Sequence, residues 1–514
     1  MSQTVKARFT SGGPESLCDR SSFNAHDTPC SRNLRMRGSL DACTTTEMRS
    51  DADRIRSCAR IWGMQMAKFN VNEVLAESKF NPFHWVLFIC SFLIITFDGF
   101  DMVVYGSSVP LIMRYWSLKG AYAGLIGTYV LIGAAVGSLV FGRLADKIGR
   151  KRTIFMCTLT FTFGMVLCGV SPNPIVFGIF RVITGIGIGG CMPNIVSLTT
   201  EWTPARNRNV MVAAIYTGMQ WGGILAAVVG LWLLRPPNVW RPVYLFGGLT
   251  ILLLPFLSTQ LPETAPRLIV TGRIGELARY MKRAIPGFKG TDKDEYEVDK
   301  GVKAAPIGDV FREGRGRSAI MFIIIYFCTL YMIYGLNLWL PKLMMNAGFS
   351  LGSALTFLLA LNLGCFILNI GTAALADRIG PRAMVMISYF LGFFVILACG
   401  YKAPTVVIYI LVAVAGVCTM GAHNIVHAYV ATYFPPTSRS TALGLCFGLG
   451  RLGAIVGPII GGYLIQIHAS LFACFLAFAI PSMVSFIAFL VTQEKYAYTK
   501  QIIHGRAVAT AAGD

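Results

Sequence analysis

The sequence predicts an all-α membrane protein with twelve transmembrane helices in two pseudo-symmetric six-helix bundles. Three observations carry this. The 514 residues are 54% hydrophobic and 14% charged, with mean hydropathy +0.60, whereas a soluble domain carries about 25% charged residues. Apolar runs long enough to cross a hydrocarbon core about 30 Å thick, roughly 20 helical residues, recur twelve times. The second half of the chain also repeats the first at an offset of 231 residues.

The first segment, residues 1–80, is polar. Up to Gly63 it has ten Lys and Arg, seven Asp and Glu, four Cys and no sustained apolar period. It lacks the apolar core of a signal peptide, and its acids argue against an organellar transit peptide. It is expected to be a disordered cytoplasmic tail. An equal alternative is that residues 1–63 lie ahead of a natural start at Met64 or Met66.

Residues 81–261 then carry six apolar runs, near 85–109, 121–141, 153–171, 174–197, 209–234 and 242–260. The stretch 262–318 is dense in charge of both signs, too polar to enter a bilayer, and reads as an inter-bundle loop. Residues 319–493 carry six more runs, near 319–340, 353–375, 383–400, 404–430, 440–464 and 470–492, and 494–514 form a second tail. Lys and Arg collect in alternate connections: "GRLADKIGRKR" after the second run, "PARNR" after the fourth, the stretch after the sixth, and "ADRIGPR" after the eighth. The positive-inside rule makes that side, and both termini, cytoplasmic, which implies a multi-pass protein of the cell (inner) membrane.

The net charge of +20 is accounted for by these loops and the N-terminal segment, so nucleic acid is not expected as a partner. The 14 cysteines are scattered without CxxC pairing and read as apolar fillers. No metal and no cofactor is implied. An enzyme is disfavoured, because there is no nucleophile–base set, phosphate loop or metal cluster.

The repeat relates Asp146 to Asp377, Gly149 to Gly380, Pro110 to Pro341, Arg208 to Arg439, Gly185 to Gly416 and Gly222 to Gly453. Two bundles in the same topology, related by an axis along the membrane normal, are the architecture of a parallel-repeat transporter that rocks around a midplane site. Charges present in only one copy therefore need a reason other than scaffolding. Asp98 and Asp101 map to Thr329 and Met332, Arg451 to Gln220, and Arg181 to Val412. A charge at mid-membrane costs about 2.5 kcal/mol or more.

Asp98 and Asp101 are three residues apart and share a helix face, with Gly99 between them for close approach of a neighbour. Two such carboxylates in low dielectric do not both ionise readily, so proton coupling is expected of the pair; a helix-pairing hydrogen-bond network is the alternative. Arg451 lies deep in the eleventh run among Gly448, Gly450 and Gly453. Its planar fork suits a substrate carboxylate, or a structural ion pair with Asp98 or Asp101, or both in turn. Arg181, nearer the outer end, reads as gating or proton coupling, with a structural pair equally open. Glu201, with Arg206, Arg150, Asp146 and the repeat mate Asp377, reads as an intracellular latch: Asp146 would meet a helix end, and neighbouring arginines would pair with Glu201.

"GRLADKIGRKR" resembles the signature loop of the major facilitator superfamily, and "ADRIGPR" its degenerate second copy. "FNPFHW", "FDGFDMVVYGSSVPLIM", "YGLNLWLPKLMMNAGFSLGSAL" and "RSTALGLCFGLGRLGAIVGP" resemble its aromatic acid:proton symporter branch, most closely the benzoate transporters. The resemblance runs from about Phe69 to Gln493, and the paired-Asp motif narrows it to the branch. It implies the major facilitator fold, protons as the coupling ion and a benzoate- or hydroxybenzoate-type substrate imported by alternating access. A ring-bearing substrate would be held by stacking and one orienting hydrogen bond. Tyr105, Asn337, Trp339, Tyr331 and Tyr334 are candidates, and the resemblance of "YGLNLWLP" to the branch favours Asn337 and Trp339. His423, Asn424 and His427 depart from the benzoate-type pattern, which has an amide at or beside position 423. His423 could donate to a hydroxyl or carboxylate oxygen, or shuttle protons; with no third ligand in view, metal is not expected of the pair. A monomer is expected. The alternatives are a carrier of another organic anion, an exporter of the same fold, or a receptor that binds without transporting.

Overall fold

The computed structural model describes residues 68–234, 239–298 and 306–498. The expectations for residues 1–63 and for 499–514 lie outside the described residues. Twelve described helices are long and apolar enough to cross a membrane. In order they are span 1 (Pro82–Tyr115), span 2 (Gly120–Ile148), span 3 (Arg150–Val170), span 4 (Pro174–Trp202), span 5 (Val210–Leu233) and span 6 (Arg241–Gln260). After the central stretch come span 7 (Gly316–Asn346), span 8 (Leu351–Asn369), span 9 (Pro381–Ala398), span 10 (Thr405–Tyr433), span 11 (Pro436–Gln466) and span 12 (Leu471–Val491).

Several spans begin where the sequence supplies a cap. The Asn81 side chain accepts the Phe83 N–H, the His84 ring accepts the Asn81 N–H, and Pro82 fills the first helical position. Asn173, Ser350 and Ser470 cap spans 4, 8 and 12 in the same way. Gly149 and Gly380, mates in the repeat, have φ of 99° and 90°. Only glycine enters that region cheaply, and each turns one helix directly into the next. Span 10 is irregular: its α-helix Thr405–Gly416 passes into a π-helical turn, Val417–Gly421, before resuming as Ala422–Tyr433. The wider turn rotates every side chain that follows, and such turns recur at functional sites.

The two bundles meet along three seams: span 2 on span 11, span 5 on span 8, and span 1 on span 7. Glycine sets how closely they approach. A Cβ on Gly120 would strike the Gly462 carbonyl, one on Gly124 the Pro458 carbonyl, and one on Gly106 the Asn337 carbonyl. All three contacts lie toward the end that carries Tyr115 and Gly120. Toward the other end spans 2 and 11 part: Gly142 on one, and Gly444 and Gly448 on the other, have no atom within 4 Å of a would-be Cβ. The cleft between the bundles is thus shut at one end and open at the end bearing Asp146 and Asp377.

Residues 68–80, expected as part of a disordered tail, are ordered. Strand β1 (Lys68–Asn70) pairs in parallel with β2 (Glu295–Glu297), and helix α1 (Val71–Ala76) buries Val71 and Leu75. The physical reason is aromatic. Phe69 lies 5.0 Å from the Phe288 ring and 5.8 Å from the Tyr296 ring, in a cluster assembled from both ends of the first half. The described parts of the stretch 262–318, residues 262–298 and 306–318, are likewise built rather than loose. They contain α2 (Ala265–Val270) and α3 (Ile274–Ala284), whose Leu277, Ala278, Met281 and Ala284 are buried along one face.

Candidate functional site

Asp98 and Asp101 sit side by side on span 1, both buried, yet their surroundings differ. Asp101 accepts a hydrogen bond from Arg181 of span 4 at 2.6 Å, in an ion pair whose side chains are 0% and 1% exposed. The Arg181 guanidinium also lies 5.5 Å from the centre of the Tyr105 ring, and the Tyr105 hydroxyl donates to the Ala123 carbonyl at 2.7 Å. Asp98 has neither a hydrogen bond nor an ion pair among the described residues, and its Oδ1 is buried without a partner. Two carboxylates read as equals in the sequence are one committed and one uncommitted. Gly99 between them does what its size implies: the Met219 backbone of span 5 presses where its side chain would be.

Arg451 comes to the cleft from the second bundle. It is half-buried, with its guanidinium 5.2 Å from the centre of the Phe447 ring one turn earlier on span 11. It forms no ion pair among the described residues, so neither proposed structural pairing with Asp98 or Asp101 is made. Asp98 and Tyr334 both lie near enough to Arg451 to feel its charge. The Tyr334 hydroxyl points across the seam to the Met102 sulfur at 3.4 Å. Asp98, Arg451 and Tyr334 are therefore the polar centre where the bundles meet.

Other expected pocket residues are placed differently. Trp339 is fully buried between spans 7 and 11, where its indole N–H donates to the Pro458 carbonyl at 2.7 Å; Gly461 and Gly462 leave room for the ring. Tyr105 belongs to the Arg181 contact just described, inside the first bundle. Tyr331 packs on Phe478. The hydrogen bonds and ring contacts of these three are made within their own bundle. Asn337 donates to the Ile333 carbonyl at 2.8 Å and accepts from Asn362 of span 8 at 3.2 Å. Gly223 of span 5 lies directly against Asn362, so this amide pair stands at the seam between the bundles. Asn424 is exposed. His427 Nδ1 is 2.9 Å from the Tyr326 hydroxyl, and the His423 ring lies 5.3 Å from the Tyr326 ring and 6.3 Å from the Phe447 ring. No group of three metal-ligating side chains occurs among the described residues.

The latch is rearranged as well. Glu263, beyond span 6, is the acid that meets a helix end: its Oε1 accepts the Arg150 N–H at 2.9 Å where span 3 begins. A carboxylate there answers the unpaired N–H groups and positive end of the helix. Glu201 accepts the Ala265 N–H at 2.6 Å instead of pairing with an arginine, and the Arg150 guanidinium donates to Asn194 at 3.2 Å. Asp146 and Asp377 are both exposed, with no partner among the described residues. Arg181 is a buried partner of Asp101, the structural pair that stood equally open for it.

The sequence pattern of the Major Facilitator Superfamily matches residues 91–407 and 358–508. The benzoate transport protein of Acinetobacter baylyi is 35% identical over 444 residues, which cover 85% of this chain and 95% of that protein. The chain belongs to the Major Facilitator Superfamily, among its aromatic acid transporters. The gentisate transporter of Corynebacterium glutamicum is 32% identical, covering 79% of this chain and 88% of its own length. Among solved structures, the inward-open xylose transporter XylE from E. coli superposes with a TM-score of 0.63 at 16% identity, covering 79% of this chain and 96% of that one, a likeness of fold. The superfamily's internal repeat also points to residues the first reading passed over. Asn362 stands where the other copy has Leu131, and Tyr326 where it has Ile95; comparing the two copies for uncharged polar residues would have found both.

Proposed function

We propose that the protein imports an aromatic carboxylate of the benzoate or hydroxybenzoate type together with protons, by alternating access across the cell membrane. The loops rich in Lys and Arg, and both termini, then lie in the cytoplasm, and the open end of the cleft faces the cytoplasm. Arg451 receives the carboxylate through its two-pronged fork, with the ring resting among Phe447, Tyr334 and the seam residues. Asp98 carries the proton. While ionised it competes with the substrate for the charge of Arg451; protonated, it releases that charge, so proton and anion load together. Asp101 keeps Arg181 neutralised at the side of the same site. One anion with one proton moves no net charge, and a second proton would add about 2.3 kcal/mol per 100 mV of membrane potential.

The observation that carries the reading is the asymmetry of the pair: Asp98 is buried and unpartnered within electrostatic reach of Arg451, while Asp101 is already matched. In proteoliposomes with an acidic exterior, labelled benzoate uptake by the wild type should rise with the pH difference. Asp98→Asn should abolish that dependence, and pH-driven uptake by Asp98→Asn equal to wild type would refute the proton role. Competition by benzoate and hydroxybenzoates, but not by sugars or cations, is expected for the substrate class.

A further inference from the structure

Beside Arg451, the second bundle holds a polar group that carboxylate recognition does not use. His423 and His427 follow the π-helical turn Val417–Gly421 of span 10, and the matching stretch of span 4, around Ile186–Gly190, is ordinary α-helix. The copy of these histidines in the first bundle is Met192 and Val196. The irregular turn and the polar side chains thus occur together, in one repeat only. The wider turn resets the face that span 10 presents, and both imidazoles come to lie against Tyr326 of span 7, at 5.3 Å and 6.3 Å between ring centres.

The hydrogen bonding within this group is incomplete. The Tyr326 hydroxyl is engaged with His427 Nδ1 at 2.9 Å and makes no hydrogen bond to His423 Nδ1. His423 Nδ1 is buried with no partner, an uncompensated desolvation in a membrane protein's interior. Phe447 connects the group to the carboxylate site: its ring centre lies 6.3 Å from the His423 imidazole, 6.4 Å from the Tyr326 ring and 5.2 Å from the Arg451 guanidinium. Phe447 therefore touches both the cation and the histidine. A substrate ring lying along Phe447 with its carboxylate on Arg451 would direct its far edge toward His423. A hydroxyl on that edge can donate to or accept from an imidazole, which an unsubstituted ring cannot.

We propose that His423, supported by the Tyr326–His427 pair, is a specificity-determining subsite for a ring hydroxyl, so that hydroxylated aromatic carboxylates are preferred over the unsubstituted acid. This deepens the proposed function and rests on Arg451 holding the carboxylate. Sites that hydrogen-bond a substrate hydroxyl discriminate strongly against analogues lacking it, because their own polar groups are then left unpaired.

The test is the ratio of KM for benzoate to KM for 3- and 4-hydroxybenzoate, measured by labelled uptake in proteoliposomes. Wild type should favour at least one hydroxybenzoate tenfold or more. His423→Leu should shrink that preference at least fivefold, and His423→Asn, which restores a donor and an acceptor, should recover part of it. A merely structural histidine would change both KM values together and leave the ratio alone, which would overturn the proposal. If His423→Leu does not fold, the wild-type ratio with His423→Asn decides: benzoate bound as tightly as either hydroxybenzoate refutes the subsite. Wild-type uptake of benzoate without a hydroxyl preference removes this inference only. Failure of every aromatic carboxylate to be taken up or to compete removes the proposed function with it.

Discussion

Removing the Arg181 side chain tests how the first bundle holds its charges. In Arg181→Met the Asp101 carboxylate, 0% exposed and with Oδ2 already unpartnered, loses the cation 2.6 Å away. Breaking a buried pair from one side costs about 3–5 kcal/mol, because a charge is left without compensation, whereas replacing both members by apolar groups is often neutral or better. Arg181→Met and Asp101→Leu should each lose roughly that amount, and the double variant should lose much less than their sum. Equilibrium unfolding of the four proteins in mixed detergent micelles gives the coupling directly, expected at about 3 kcal/mol. Contacting residues couple by about 0.5–3 kcal/mol, so this pair belongs at the upper end. Single variants that each cost under about 1 kcal/mol, or a double variant whose cost equals the sum, would refute the claim that the pair is dry and mutually dependent.

Three further outcomes are expected. Gly99→Ala drives a methyl into the Met219 backbone and should destabilise by about 1–3 kcal/mol through overpacking, while Gly142→Ala, in open space, should melt with the wild type. Trp339→Phe removes the indole donor to the Pro458 carbonyl and should cost about 0.5–1.5 kcal/mol in the same unfolding assay; its KM for benzoate should stay within about twofold, since the indole is turned to Pro458 of its own bundle. Cysteines at Ala121 and Gln466, whose groups meet at 3.3 Å across the shut end, should crosslink readily in the resting protein and arrest uptake. The ten described native cysteines are all buried, so with Cys18, Cys30, Cys43 and Cys58 replaced by serine the crosslink should be read against a low background, and rapid crosslinking only in the presence of substrate would contradict the resting state described.

The spans were legible because a bilayer demands long apolar helices, and their order and number follow from hydropathy alone. The repeat then served as an internal comparison and singled out Asp98, Asp101, Arg181 and Arg451, all of which the structure brings to or beside the cleft. What one-dimensional reasoning could not see was who faces whom. For Arg181 a gating role and a structural pair stayed equally open, because position along span 4 does not say which acid its fork reaches; it reaches Asp101 of span 1. Trp339 reads as a pocket aromatic from its neighbours in sequence, but its helix turns it toward Pro458. The tyrosine passed over in favour of it, Tyr334, is the one at the polar centre. Glu263 was hidden in a stretch dense with charge, where no pattern marks the one acid that meets the start of span 3. Residues 68–80 were missed because their order depends on Phe69 meeting Phe288 and Tyr296 from far along the chain, and α3 because its buried Leu277, Ala278, Met281 and Ala284 lie in a stretch otherwise dense in charge.

Glu263 fastened at Arg150, Glu201 fastened at Ala265, and β1 zipped to β2 have a joint mechanical meaning. The polypeptide that joins the two bundles is ballast on the first of them as far as Glu297, so a rocking second bundle leaves it behind. A fluorophore on α3 and another on span 9 would accordingly report the whole stroke, whereas two probes placed on α3 and span 3 should stay at fixed separation through every turnover.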